Sequence, residues 1–158
     1  MKTCCFTGHR TIPLPARTPL ALLLDKTIEG LIDEGYTEFR AGGALGFDML
    51  AALRVLRAKE KHPDVRLHLI LPCRDQAKSW REGERLLWQD IIDAADTAEF
   101  LFDTYKDGCM YARNRALIEG SDLCIAYLTS NRGGTFYTCS YAEKQDVPVL
   151  NLAKNKDL

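Results

Sequence analysis

The chain predicts an α/β fold, a single Rossmann-like domain over 1–158 with a doubly wound, mainly parallel sheet of about six strands flanked by helices. Three observations predict it. Short β-type runs alternate with helical-period runs from one end of the chain to the other. The run Leu123–Leu128 is almost uninterrupted in its apolar character, as in a strand covered on both faces. Glycine-bearing turns follow the first, second and fifth of these strands, where such a fold places its ligands.

The elements follow in order. Strand one runs over Thr3–Thr7 and ends at Gly8. A proline-marked loop, Ile12–Pro19, leads to a helix over Leu20–Glu34, where Leu20, Leu23, Leu24, Thr27, Ile28, Leu31 and Ile32 follow the helical period. Gly35 stops that helix. Tyr36–Ala41 is the second strand, closed by Gly42-Gly43. A helix over Phe47–Lys61 carries Met49, Leu50, Leu53 and Leu56 on one face, and Pro63 breaks the chain before strand Val65–Leu71. That strand is expected to stop at Pro72.

The second half repeats the alternation. Ser79-Trp80-Arg81-Glu82 has the form of a capping box, opening a helix whose stripe is Trp80, Leu87, Trp88, Ile91 and Ala95. The stripe predicts core. Strand Glu99–Phe102, helix Met110–Gly120, strand Leu123–Leu128, helix Thr135–Lys144 and strand Val147–Leu152 complete the chain.

Composition narrows the classes of function. With 158 residues, 46% hydrophobic and 27% charged, the chain is long enough to bury a core and is ordinary for a globular protein. Lys+Arg 21 against Asp+Glu 22 leaves a net charge of −1, so no whole-chain attraction draws it to nucleic acid or to an anionic membrane. No apolar stretch approaches the roughly 18–20 residues that cross a bilayer, and the expected location is the cytoplasm. The six cysteines have no C-x-x-C pair, and His62 and His68 lack ligand-spaced partners. No metal or cofactor is expected.

Chemistry is expected in the glycine-bearing loops: Thr7-Gly8-His9-Arg10, Gly42-Gly43-Ala44-Leu45-Gly46-Phe47-Asp48, and Ser130-Asn131-Arg132-Gly133-Gly134-Thr135. Glycine admits close approach of a ligand, and the first amides of the following helix lack internal partners. With the helix dipole they form an anion site suited to phosphate. None of the loops matches the dinucleotide fingerprint or the Walker pattern. His9 and Arg10 are candidate phosphate or base contacts. Asp48 is a candidate for ribose hydroxyls or a simple helix-dipole partner. Arg113 and Arg115 stand roughly 200° apart on one helix, so only one can face a crevice. Gln76 at the rim, and Tyr105, Asp107 and Met110 after strand four, are candidates for the base pocket. Trp80 is expected in the core rather than as a stacking lid.

These loops, with Pro72, Gln76, Trp80, Gly108-Cys109-Met110 and Arg113-Asn114-Arg115, resemble the SLOG superfamily, and within it the small bacterial YpsA-like proteins. The resemblance spans nearly the whole chain and implies a Rossmann-like domain that binds nucleotides or nucleotide-derived signals, often as a dimer. Gly42, Gly43 and Gly46 match the first motif of the superfamily's LOG-type phosphoribohydrolases. Gly133, Gly134 and Thr135 match the phosphate-binding end of the second, and Arg113 matches an arginine set over the sugar. The departure is Thr138, which stands where the hydrolases carry a glutamate. Cleaving an N-glycosidic bond calls for a carboxylate, and Asp48 is the candidate substitute; catalytic candidates are therefore Arg113 and Asp48. The sequence thus favours a binder of a phosphorylated nucleotide or of an NAD- or ADP-ribose-derived ligand, acting as a sensor or regulator. A LOG-type N-glycosidase and a DprA-like nucleic-acid binder are the alternatives.

Overall fold

The order of elements in the computed structural model is β1 (Lys2–Gly8), α1 (Leu14–Asp33), β2 (Tyr36–Ala41), α2 (Phe47–Lys61), β3 (Arg66–Cys73), α3 (Glu82–Ala94), β4 (Thr97–Phe102), α4 (Cys109–Ile118), β5 (Leu123–Tyr127), α5 (Gly134–Lys144) and β6 (Val149–Asn151). A short 3-10 turn, Leu152–Lys154, follows. Residues 1–155 are described; the last three positions of the expected 1–158 domain lie outside them. The six strands form one sheet in the order β4-β3-β2-β1-β5-β6, and every pairing is parallel.

The strand period of two separates the core into two layers. On one face Cys4, Phe6, Leu69, Leu71 and Ile125 pack with Leu20, Leu24 and Ile28 of α1, Ala51, Ala52 and Val55 of α2 and Ile91 of α3. On the other, Cys5, Ile70 and Cys124 pack with Leu117 and Ile118 of α4 and Ala142 of α5. All six cysteines are buried free thiols. Among the described residues no helix is long and apolar enough to cross a membrane.

Most boundaries move by one or two residues, as at β4, which starts at Thr97, and β6, which is only Val149–Asn151, and three differences have a clear local reason. The proline-marked segment is not a loop throughout: α1 begins at Leu14 and runs through Pro19. Pro15 falls in the first turn, where a missing N–H costs no internal bond, and Leu20, Leu24 and Ile28 anchor the helix beyond Pro19. Strand β3 continues through Pro72 to Cys73, because β2 has already ended opposite Leu69 and only the β4 pairing persists there. Helix α3 starts at Glu82 rather than Ser79. The Glu84 carboxylate, at 3.0 Å, accepts from the Arg81 amide at its N-cap. Trp80 precedes the helix yet remains buried, edge-on to Trp88.

This topology fixes where a ligand can enter. Successive connections carry the chain outward from β1 to β4, then α4 returns it across the sheet to β5 on the other side of β1. The winding reverses between β1 and β5, and the crevice beyond their carboxyl ends is the expected ligand site. Strand β4 is the sheet edge, so its following loop is not at the reversal. Tyr105 and Asp107 in that loop are exposed, and only Met110, at the start of α4, reaches the crevice.

Candidate functional site

Thr7, Gly8, His9 and Arg10 after β1, Ala44 and Asp48 around the start of α2, Gln76, Met110, Arg113 and Asn114, and Gly134 and Thr135 at the start of α5 enclose a cavity of about 260 Å³. Two more glycine loops support this wall from behind. Gly46 caps α2 with φ +82°, and a side chain there would run into the backbone carbonyl of Arg10 and come within 2.7 Å of that of His9. The Phe47 amide donates to the His9 carbonyl at 3.1 Å, which locks the first loop to the second. A side chain at Gly8 would collide with the Phe47 ring. One at Gly42 would lie 2.7 Å from Arg113 Nη1 and 2.9 Å from Asp48 Oδ2. Gly133 caps α5 with φ +95°, a conformation few other residues adopt.

Gly42, Gly43, Gly46 and Gly133 do not line the cavity: the first three pack against the residues that do, and Gly133 is exposed. The pair Gly42-Gly43 does not open a helix, since α2 starts at Phe47. Gly42 instead offers its carbonyl to the Arg113 guanidinium and, at 3.3 Å, to the Gln76 side chain. Gln76 Oε1 in turn accepts from Trp88 Nε1 at 3.1 Å, and Asn114 Oδ1 accepts from Arg113 Nε at 2.8 Å. A chain of buried side chains therefore fixes Arg113 against the β2–α2 loop. Asn114 lines the cavity although no motif marks it in the sequence beyond its adjacency to Arg113.

Asp48 and Arg113 are the buried charges of the site, only 5% and 6% exposed. Burial pushes the Asp48 carboxyl up to about 6, against the opposing influence of Arg113, the Ala44 amide and Arg10. Burial likewise lowers Arg113 from its ordinary value, while Asp48 pulls it back up. Arg10 is exposed at the mouth, with its guanidinium carbon 5.9 Å from the Trp80 ring centroid. Arg115 lies elsewhere, donating to the Tyr137 hydroxyl at 3.0 Å. Thr138 is fully buried and donates to the Gly134 carbonyl at 2.8 Å, so it braces the first turn of α5 and offers the crevice no acid or base.

The arrangement has a definite chemical preference. The α5 N-terminus presents the Gly134–Thr135 turn, and Arg10 and Arg113 add positive charge from two sides. One buried carboxylate, Asp48, is the acceptor among these donors. Gly134 has room for a side chain, its nearest neighbour being Asn114 Nδ2 at 3.7 Å, so that position can be altered without disturbing the wall.

Known proteins with the same pattern share this fold. A UPF0398 protein of Halalkalibacterium halodurans is 31% identical over 155 residues, covering 92% of this chain and 82% of its own. Among solved structures, DNA processing protein A from Helicobacter pylori, described for its single-stranded DNA binding mode, superposes with a TM-score of 0.66 at 20% identity, over 99% of this chain and 69% of that one. DNA processing protein A (DprA) from Streptococcus pneumoniae gives a TM-score of 0.68 at 19% identity, over 94% of this chain and 49% of its own. At these identities the likeness is one of fold. The model of the YspA SLOG family, YpsA, matches residues 4–150, from the first strand through the last, and the chain belongs to that family.

Proposed function

We propose that the crevice at the β1/β5 reversal binds a phosphorylated nucleotide or an NAD- or ADP-ribose-derived ligand, and that the protein acts as a sensor or regulator, a cytoplasmic homodimer. The observation that carries this reading is convergence. Loops after β1, β2 and β3 and the N-terminal turns of α2, α4 and α5 meet at one cavity, with Arg10 and Arg113 lining it together with the α5 N-terminus. The test is a thermal-shift screen against AMP, ADP, ATP, NAD, ADP-ribose and cyclic ADP-ribose. At 100 times its Kd a ligand adds about 2.7 kcal/mol of stability. For a chain of this size that raises Tm by roughly 5–10 °C. The shift is expected in wild type and lost in Gly134→Asp, which sets a carboxylate where the phosphate would lie. No shift with any of the six overturns the reading.

A second reading rests on Asp48. A buried carboxyl held near 6 is suited to proton transfer near neutral pH, and it stands in the crevice where Thr138 supplies no acid or base. This is the N-glycosidase alternative. It predicts release of free base from nucleoside 5′-monophosphates, abolished in Asp48→Asn and Arg113→Ala. The nucleic-acid alternative draws on the DprA neighbours, one of them described for single-stranded DNA binding. The net charge of −1 weighs against it, and a flat single-strand shift assay at low salt would remove it.

A further inference from the structure

The ring of His9 makes a contact that sets its protonation state. Its Nε2 lies 2.9 Å from the backbone nitrogen of Thr129. A backbone N–H only donates, so Nε2 carries the lone pair and the proton of the neutral ring sits on Nδ1. The joined segments are the loop after β1 and the loop after β5, the two that flank the reversal of the sheet.

The second loop has few other anchors. Leu128 is held by Asn151, which accepts from its amide at 3.0 Å and donates to its carbonyl at 2.9 Å. Thr129 is held by His9. Beyond it Ser130–Gly133 is exposed, and among the described residues its side-chain hydrogen bonds run between Ser130 and Arg132. Among the described residues His9 is thus the last long-range hydrogen-bond tether before Gly134 and Thr135 enter the cavity wall.

We propose that His9 is the pH-sensitive positioning residue of the crevice: the neutral ring fastens the β5–α5 loop at Thr129, and protonation of Nε2 sets two donors against each other and frees it. Tyr127 from β5 stands edge-on to the ring, at 6.1 Å between centroids, and the charged residues that line the same cavity are Arg10 from its own loop, Asp48 from α2 and Arg113 from α4. Burial lowers the imidazole from its ordinary value, in the sense that keeps the tether closed at neutral pH. The inference rests on the proposed phosphate reading only where a ligand is used. It also reverses the sign expected if His9 contacted phosphate directly, because an imidazolium would strengthen binding in acid whereas a released loop weakens it.

Amide hydrogen exchange at Thr129, measured by NMR on the full chain at pH 7.5 and 5.0 and corrected for the intrinsic rate, tests the tether without any ligand. Wild type is expected to lose protection at pH 5.0 by about fivefold, the scale of one hydrogen bond. His9→Gln, which keeps an acceptor near the Nε2 position but does not titrate, is expected to stay protected at both. His9→Ala is expected to be unprotected at both. Equal protection in wild type and His9→Ala, or the same acid loss in His9→Gln, overturns the proposal. If His9→Ala fails to fold, the comparison of wild type with His9→Gln still decides. With AMP as probe, the ratio of wild-type to His9→Gln affinity is expected to fall on acidification, since the phosphate's and Asp48's own titrations are common to both. A rising ratio overturns the tether and makes His9 a direct anion contact. Absence of AMP binding at either pH counts against the phosphate reading and leaves the exchange result standing.

Discussion

The two ends of the sheet use the same kinds of charged residue to opposite effect. At the carboxyl end of the strands Asp48 and Arg113 are buried around a cavity of about 260 Å³, and Gly42, Gly43 and Gly46 allow the backbone to pack closely beside it. On the sheet face toward the other end, a larger cavity of about 440 Å³ is lined by Glu38, Arg40, His68, Thr97, Glu99 and Glu119. There Arg40, His68 and Glu38 are held by neutral partners and by one His–carboxylate pair. Arg40 donates to the Glu119 carbonyl at 2.6 Å, and His68 lies 3.0 Å from Glu38 and 2.7 Å from Thr97. The two carboxylates titrate in opposite directions. Burial pushes Asp48 up, whereas at Glu38 the hydrogen bonds with Thr37 and His68 outweigh burial and bring it below its usual value. The lesson is that size does not mark the site: the smaller cavity retains desolvated, incompletely compensated charge, and that is what a ligand can stabilise.

The contrast can be broken most directly at its two arginines. Arg113→Ala leaves Asp48 buried without its cation and is expected to cost about 4 kcal/mol, a fall of roughly 10 °C in Tm. It should also move the Asp48 carboxyl further above 6, readable by ¹³C NMR, because Arg113 is the chief influence holding it down. A mild loss with an unmoved Asp48 would mean that the crevice is as self-satisfied as the opposite end.

Next in size is a pH effect. Asp48 binds its proton more tightly folded than unfolded, so between pH 4 and 6 the native state carries more protons and stability falls as pH rises. From an ordinary carboxylate to about 6, this amounts to about 3 kcal/mol lost by neutral pH. Urea unfolding of wild type and Asp48→Asn across pH 3.5–7 isolates it as a difference that declines with pH. Glu38 carries the opposite sign: its contribution is present above its unfolded pKa and lost on acidification, so Glu38→Gln should give a difference that grows with pH.

Smaller effects sharpen the comparison from the other side. Arg40→Ala removes donors to the α4 C-terminal carbonyls and is expected to cost about 1 kcal/mol, with ligand-induced stabilisation unchanged. His68→Gln, at a partly exposed pair, is expected to stay within about 0.5 kcal/mol by the same denaturant measurement. Loss of ligand response in either variant would place the site at the wrong end.

Much of this was legible in the sequence because it is written in local pattern. Strand–helix alternation points to the parallel sheet, and the glycine turns point to Thr7–Arg10, Gly42, Gly43, Ala44, Gly46, Asp48 and Gly133–Thr135, of which Gly42, Gly43, Gly46 and Gly133 do not line the cavity. Arg113 was separable from Arg115 only through the family resemblance, since periodicity states that they face apart and not which one turns inward. What escaped depends on distant partners. Pro19 reads as a breaker, yet the packing of Leu20, Leu24 and Ile28 keeps its helix intact. Ser79 and Glu82 have the spacing of a capping box, yet only its carboxylate half is made, and by Glu84, which accepts from the Arg81 amide. The roles of Gln76 and Asn114 as supports for Arg113 arise from bonds across the fold that no spacing encodes.

The most direct measurement of the central claim is a titration of ¹⁵N-labelled protein with AMP and with ADP-ribose, followed by amide shifts. The account predicts that one or both move Gly8, Ala44, Gly134 and Thr135 and leave Glu38, Arg40 and His68 still, with the response absent in Gly134→Asp. Shifts centred on Glu38, Arg40 and His68, or none at saturating concentrations of either nucleotide, would contradict it.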